Sequence, residues 1–240
     1  MELRLVRHAT LELDIDGTRF LVDPMLDPEA ARPPIQNTST DDRNPTAPLP
    51  SVDLDGVDAV VVTHLHEDHV DDTARDRIDG VPVFCQPEDS GDLEASFDDV
   101  RPVSGLVEFD DITIAATPAR HGTGDLAEQM GPVTGFLFDG TETTYVAGDT
   151  VWYGPVGEVI TQHDPDTVVV NTGEAQFVEG DPITMSREGV AAVAEVTDGE
   201  VVAVHMEAIN HCLCTRVELR EHLDAEGVEN VTIPADGERV

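Results

Sequence analysis

The chain has 240 residues and a formal net charge of −37, with 50 acidic residues against 13 basic ones, all of them arginine. That length suits one large domain or two small ones, and 40% apolar content is somewhat low but still globular. The charge gives no support for binding a phosphate backbone, and no run approaches the ~20 apolar residues of a membrane span.

The N-terminus lacks a basic region followed by an apolar stretch, so no signal peptide is read and the cytoplasm is the expected compartment. Residues 1–23 read as a hairpin, with LRLVRHATLELDI and TRFLVD meeting at Asp16-Gly17. Residues 24–56 follow as a loop with seven prolines. Long loops in compact domains tend to be functional or disordered, and this one precedes the strand DAVVVTH, so it is a candidate lid. After that strand come a short helix (DTARDRI), the strand VPVFCQ, a helix over 88–97 and a strand near Val100. GLVEF and ITIAATPA read as antiparallel strands split by Asp110-Asp111, and RHGTGDLAEQMGP reads as a loop. VTGFLFD and TTYVAGD flank Asp139-Gly140, a helix spans 156–162, and DTVVVN is a strand. SREGVAAVAEV reads as a helix with Ser186 and Glu188 in capping positions, followed by the strand EVVAVH. The terminal helix TRVELREHLDAEG has Thr215 and Glu218 at capping-box spacing and closes at Gly227; VENVTIP is the last strand. Two similar ββα halves packed sheet to sheet fit this order, as do other mixed α/β layouts. The three cysteines, Cys85, Cys212 and Cys214, are too few and scattered for a disulfide framework and read as ordinary thiols.

The chemistry concentrates in VVTHLHEDHVDD. His64 and His66 share a face of an extended segment and can meet one ion. Asp68 and His69 lie past a turn and can face a second. Imidazole with carboxylate suits zinc, manganese or iron. One loop cannot complete two sites, and three further donors follow apolar strands: His121, Asp149 and His205. Strand C-terminal ends are where α/β folds gather ligands.

His-x-His-x-Asp-His at 64–69, then His121 in RHG, Asp149 in GDT and His205 after a strand resembles the metallo-β-lactamase superfamily. The front hairpin ending in LVDP and the segment GDTVWYG add to the likeness. Within that superfamily the chain is similar to the metal-dependent hydrolase branch that includes ascorbate-6-phosphate lactonase. The resemblance implies an α+β fold, a four-layer αββα sandwich forming one domain over 1–240. It implies two divalent ions, zinc first, with manganese or iron as alternatives: His64, His66 and His121 on the first, Asp68, His69 and His205 on the second, and Asp149 bridging. A metal-bridging hydroxide would attack a carbonyl or phosphoryl centre, with Asp68 also accepting a proton. The expected activity is hydrolysis of a small ester or lactone, with phosphodiester cleavage second and a metal-binding sensor or scaffold without turnover as a reading from another class.

Other residues carry alternatives. His8 reads first as a plain strand residue, with a site-facing role second. Asp23 is equally a turn residue before Pro24 or a group lining the metal pocket. His211 is a candidate for orienting substrate or protonating the leaving group, against a role near the last helix. Glu174 reads as surface or loop. Arg32, Arg43 and Arg120 make an anionic small-molecule substrate conceivable, against pairing with the abundant carboxylates. Nucleic acid and membrane are not expected partners; homo-oligomers stay open. Glu67, Asp71 and Asp72 need no function, because the lysine-free acidic composition resembles that of proteins from salt-in halophiles.

Overall fold

Continuous apolar runs within strands are buried on both faces, and such runs, Ala59–Val62, Val168–Val170 and Val201–Val204, lie inside two sheets. The computed structural model describes residues 1–240. The first sheet runs β1 (Glu2–Arg7), β2 (Thr10–Ile15), β3 (Thr18–Val22), β4 (Ala59–Val62), β5 (Val83–Cys85), β6 (Val100–Pro102), in that spatial order. The second holds β7 (Leu106–Phe109), β8 (Ile112–Pro118), β9 (Thr134–Asp139), β10 (Thr143–Val146), β11 (Thr167–Asn171), β12 (Glu200–Val204) and β13 (Val231–Thr232), also in sequence order. Each sheet starts antiparallel and ends parallel, with the change at β3 and at β10. The helices are α1 (Asp72–Arg77), α2 (Ser90–Leu93), α3 (Gly124–Met130), α4 (Gly154–His163), α5 (Arg187–Val196) and α6 (Arg216–Glu226).

Side chains alternate across a strand, and here that alternation sorts the valines into layers. Ala59 and Val61 of β4 face Val169, Val202 and Val204 of the second sheet in a core of 19 buried residues. Val60 and Val62 point the other way, onto Ala74 of α1 and Leu93 of α2. Val168, Val170, Val201 and Ala203 lie under α4, α5 and α6, through Ile160, Val193, Leu219 and Leu223 among others. The layers are therefore helix, sheet, sheet, helix, the four-layer sandwich of the expected α+β class. Phe138 belongs to the inter-sheet core, is fully buried, and meets Phe20 with ring centroids 5.1 Å apart. Phe138→Ala should cost about 3–5 kcal/mol in guanidinium unfolding of the metal-stripped protein. A loss under about 1 kcal/mol, ordinary for any substitution, would contradict this packing.

The capping expectations hold: Ser186 accepts from the Gly189 N–H, and Thr215 with Glu218 forms a full capping box ahead of Gly227. Four local readings change. The N-terminal hairpin is a three-stranded meander, because His8, at φ 61, turns the chain between β1 and β2. The apolar alternation runs through that turn, which hides it. The 88–97 helix shrinks to a 3-10 turn at Pro87–Asp89 and four residues of α2. RHGTGDLAEQMGP contains α3, which buries none of its side chains and so has no apolar stripe to read. Asp71 is not idle acidity: it is buried, caps α1 through Ala74 N–H, and accepts from Asp27 N–H at 2.6 Å.

The 24–56 segment is tied down at both ends of its path. The buried Arg7 guanidinium donates to the carbonyls of Met25, Asp27 and Ala47. The Asn210 side chain accepts from Ile35 N–H and Asn44 Nδ2 and donates to Thr38 Oγ1 and Thr40 O. The segment thus spans from the first sheet to the loop after β12.

Candidate metal centre

Five chain segments converge on one rim of the sandwich. The loop after β4 brings His64, His66, Asp68 and His69; β8, β10 and β12 end in front of His121, Asp149 and His205; the β1–β2 turn adds His8. Close approach is enforced locally. Gly148 has φ 67, and a Cβ there would meet the Thr134 carbonyl at 2.7 Å, so only glycine lets the chain deliver Asp149 at this depth. His205, at φ 68, is held by its N–H donating to the His8 carbonyl at 2.9 Å.

The donors fall into sets compact enough for single ions. His64, His66 and His121 offer atoms within 4.8 Å of one another, and so do His8, Asp68, His69 and His205. Asp149 lies between the sets: Oδ2 is 3.3 Å from His69 Nε2 and 3.3 Å from His121 Nε2, and Oδ1 is 3.4 Å from His205 Nε2. All seven sequence-predicted ligand positions are thus brought together, and His8, read first as a plain strand residue, joins them with Nε2 3.1 Å from Asp68 Oδ2.

The donor chemistry fits divalent cations. Nε2 of His69 and of His205 are buried and have no hydrogen-bond partner, although both point toward Asp149. Unpaired buried polar atoms are rare in native structures and call for a cause; a shared cation supplies one. Burial holds His64 and His205 well below the usual imidazole value, so both offer the neutral ring a metal requires. Burial also opposes the charge on Asp149, but His205, His69 and His121 outweigh it and keep its carboxyl well below the usual range. For His69 burial lowers the value, yet Asp149 and Asp23 prevail and raise it well above normal.

Supporting contacts orient the rings. His69 Nδ1 is 2.8 Å from Asp23 Oδ2, a carboxylate–imidazole arrangement that fixes which nitrogen faces inward. Asp23 also accepts from Thr63 N–H at 2.8 Å and from Thr63 Oγ1 at 2.7 Å, and Thr63 Oγ1 is 3.1 Å from His64 Nδ1. Asp23 therefore lines the centre; it is more than a turn residue. His121 Nδ1 donates to the Ile183 carbonyl at 2.8 Å. Asn171 Nδ2 donates to Asp149 Oδ1 at 2.7 Å. Of Thr63, Asn171 and Ile183, only Asn171 carries a signal in the sequence, as a polar residue closing the valine run of β11.

A cavity of about 260 Å³ opens beside the centre. His66 and Asp68 line it on behalf of the centre, Met25, Ile35, Met130, Phe177 and Ile209 are its apolar residues, and His211, Asp27 and Glu67 also line it. Residues from the 24–56 segment thus form part of the wall. His211 is buried, and burial pushes its imidazole down to about 4, so it stands neutral at pH 7. Arg32 is the one arginine lining the cavity, and it is engaged by Asp27, Glu67 and Asp72. Arg43 donates to the Ala30 and Ala31 carbonyls, and Arg120 lies 4.4 Å from the Tyr153 ring centre. Glu174 is not at the centre: it accepts from Arg187 N–H, Nε and Nη2, fixing the start of α5. Glu207 binds Arg216 at the start of α6. All three cysteines are free thiols; Cys212 Sγ lies 3.7 Å from His205 Nδ1.

The family model of the beta-lactamase superfamily domain matches residues 18–206. The chain belongs to that superfamily. It is 36% identical to the UPF0173 protein YddR of Bacillus subtilis, over 99% of this chain and 98% of that protein. It is 27% identical to a UPF0173 metal-dependent hydrolase of Haloquadratum walsbyi, again over 99% and 98%. Among solved structures, an isothiocyanate hydrolase from Delia radicum gut bacteria is 36% identical, with a TM-score of 0.94 and coverage of 100% of this chain and 98% of that one. No helix of this superfamily member is long and apolar enough to cross a membrane.

Proposed function

We propose that the protein is a metal-dependent hydrolase with a two-ion centre, acting at an electrophilic carbon of a small, uncharged, apolar-bodied substrate. The observation that carries this reading is the mostly apolar-walled cavity opening on Asp68 and His66, whose single arginine is already neutralised by three carboxylates. His64, His66 and His121 would hold the first ion, Asp68, His69 and His205 the second, and Asp149 would serve both. Divalent ions in such a site lower the pKa of water from 15.7 to about 7 and polarise the group under attack. Zinc is the first candidate, with manganese or iron next.

The chain's own groups do the rest. Asp149 carries negative charge between the two histidine sets and keeps their spacing. Asp68, a carboxylate lining the cavity, takes the proton lost by the attacking water. His211, neutral at pH 7, donates its single ring N–H as a hydrogen bond to the substrate heteroatom, and Asp68 returns the proton it took from water to the leaving nitrogen. Phe177, Ile209, Met25 and Ile35 hold the apolar body and exclude water, with the 24–56 segment as cover.

An isothiocyanate fits this description best: the cumulated carbon is electrophilic, the molecule is uncharged, and its organic group matches the walls. Water addition and cleavage of the C–N bond give balanced products, R–N=C=S + H2O → R–NH2 + COS. The isothiocyanate hydrolase at 36% identity over the whole chain supports the same choice. Carboxylic esters and lactones come second, because they present the same kind of carbon to the same centre.

The test is metal analysis of protein purified in high salt, followed by turnover of benzyl isothiocyanate, a phenyl ester, a γ-lactone and bis-nitrophenyl phosphate. Two metal equivalents are expected, with amine release from the isothiocyanate outrunning phosphodiester cleavage. Phosphodiester turnover alone would overturn the substrate reading. Two loaded equivalents with no turnover on any member would favour a sensor or scaffold.

A further inference from the structure

His8 lies outside the ligand set assigned above, yet it is fully buried among it. Its position is built. The left-handed turn at φ 61 aims the ring inward from between β1 and β2. Its carbonyl accepts from His205 N–H at 2.9 Å, and its ring lies over the His205 ring with centroids 3.5 Å apart. Nε2 is 3.1 Å from Asp68 Oδ2, while Nδ1 is buried with no partner.

Two roles are compatible with that proximity. As a further ligand through Nε2, His8 would have to carry its proton on Nδ1, leaving a buried N–H without an acceptor. Ligating histidines instead donate that other N–H to a carboxylate, carbonyl or water, as His69 does to Asp23 and His121 to Ile183. As a hydrogen-bond donor through Nε2–H, His8 leaves only a lone pair orphaned at Nδ1, and orphaned N–H groups are rarer in proteins than under-used acceptors. We infer that His8 is a positioning residue for the second ion: its Nε2–H donates to Asp68 Oδ2, the oxygen that lies 4.0 Å from His69 Nε2 and 3.8 Å from His205 Nε2, and so fixes the rotation of that carboxylate among the second set of donors. The inference rests on the proposed role of Asp68 as a ligand. It gives the two halves of the centre parallel designs, since a hydrogen-bond partner then fixes His69, His121 and Asp68 alike.

Two substitutions separate the roles. His8→Phe keeps the ring over His205 and removes the donor; His8→Gln keeps an N–H near the Nε2 position and loses the ring. Both carry the same backbone strain at φ 61, so their comparison isolates the donor. Metal content and the visible spectrum of the cobalt-loaded proteins are read alongside wild type. Wild type should bind two equivalents. His8→Phe should bind the second ion about 10- to 100-fold more weakly, the loss typical of removing an outer hydrogen-bond partner, with an altered cobalt spectrum. His8→Gln should restore both. Retention of the second equivalent by His8→Phe would overturn the inference, and fewer than two equivalents in wild type would instead overturn the two-ion reading. Nitrogen-15 NMR of the zinc-loaded wild type covers the case in which neither variant folds. An unprotonated, metal-free Nδ1 and a protonated Nε2 on His8 are expected; a metal-shifted His8 nitrogen would make it a ligand and reject the positioning role.

Discussion

Asp149→Asn is expected to remove activity by about a thousandfold or more while leaving the fold in place. The substitution is isosteric, so the buried volume between the sheets is kept. It deletes the one charge that faces both histidine sets, at 3.3 Å from His69 and His121 and 3.4 Å from His205. An amide cannot balance two divalent ions as a carboxylate does, and its NH2 group competes for the same nitrogen lone pairs. Metal-assisted catalysis is worth several kcal/mol of transition-state stabilisation, and each ~1.4 kcal/mol is a factor of ten in rate, which sets the thousandfold expectation. Metal content and kcat/KM measured on the same preparation check it. A variant that kept both equivalents and lost less than tenfold in kcat/KM would overturn the proposed role of Asp149 between the two ions.

Asp23→Ala should act on stability and metal affinity together. Asp23 is buried and accepts three hydrogen bonds, from Thr63 N–H, Thr63 Oγ1 and His69 Nδ1. Removing the carboxylate leaves a buried N–H and an imidazole unpaired, and breaking a buried charged pair typically costs about 3–5 kcal/mol. Alanine at φ 45 adds backbone strain. Losing the group that orients His69 should also weaken the second ion by about 10- to 100-fold. Denaturant unfolding of the metal-stripped protein measures the first effect and competitive chelation the second. Asp23→Asn, whose single oxygen can still accept from Thr63 Oγ1 and His69 Nδ1 while its NH2 replaces the oxygen facing Thr63 N–H, should lose less in both; equal stability of Asp23→Ala and wild type would show that the network carries no weight.

The candidate site was legible to the extent that its residues advertise themselves by type and place. His64, His66, Asp68 and His69 stand together after an apolar strand, and His121, Asp149 and His205 each follow another. Imidazoles at strand ends are uncommon enough to notice even against 50 acidic residues. Asp71 shows the opposite case: one acid among many, it was indistinguishable from solvated background until its bonds to Ala74 and Asp27 were seen. His8 reads first as a plain strand residue for a different reason. Its strand-like neighbours continue the alternation, and only the sign of one φ angle turns the ring from a strand face into the centre. Helix α3 went unread because a helix that buries no side chain leaves no period in the sequence.

The sequence by itself determined that the valine-rich strands need cover on both faces, while the choice of a four-layer sandwich among mixed α/β layouts rested on the family resemblance of its motifs. It also singled out the candidate donors, since few side chains bind divalent ions and they occur here at strand ends. Tertiary structure decided which groups hold those donors in place and which residues line the cavity beside them. Asp23 meets His69 across 46 residues, Asn171 meets Asp149 across 22, and Asn210 gathers the proline-rich segment across more than 160. Hydrogen bonds between residues so far apart leave no periodic trace along the chain. They exist only once two sheets have packed and brought their ends to one rim.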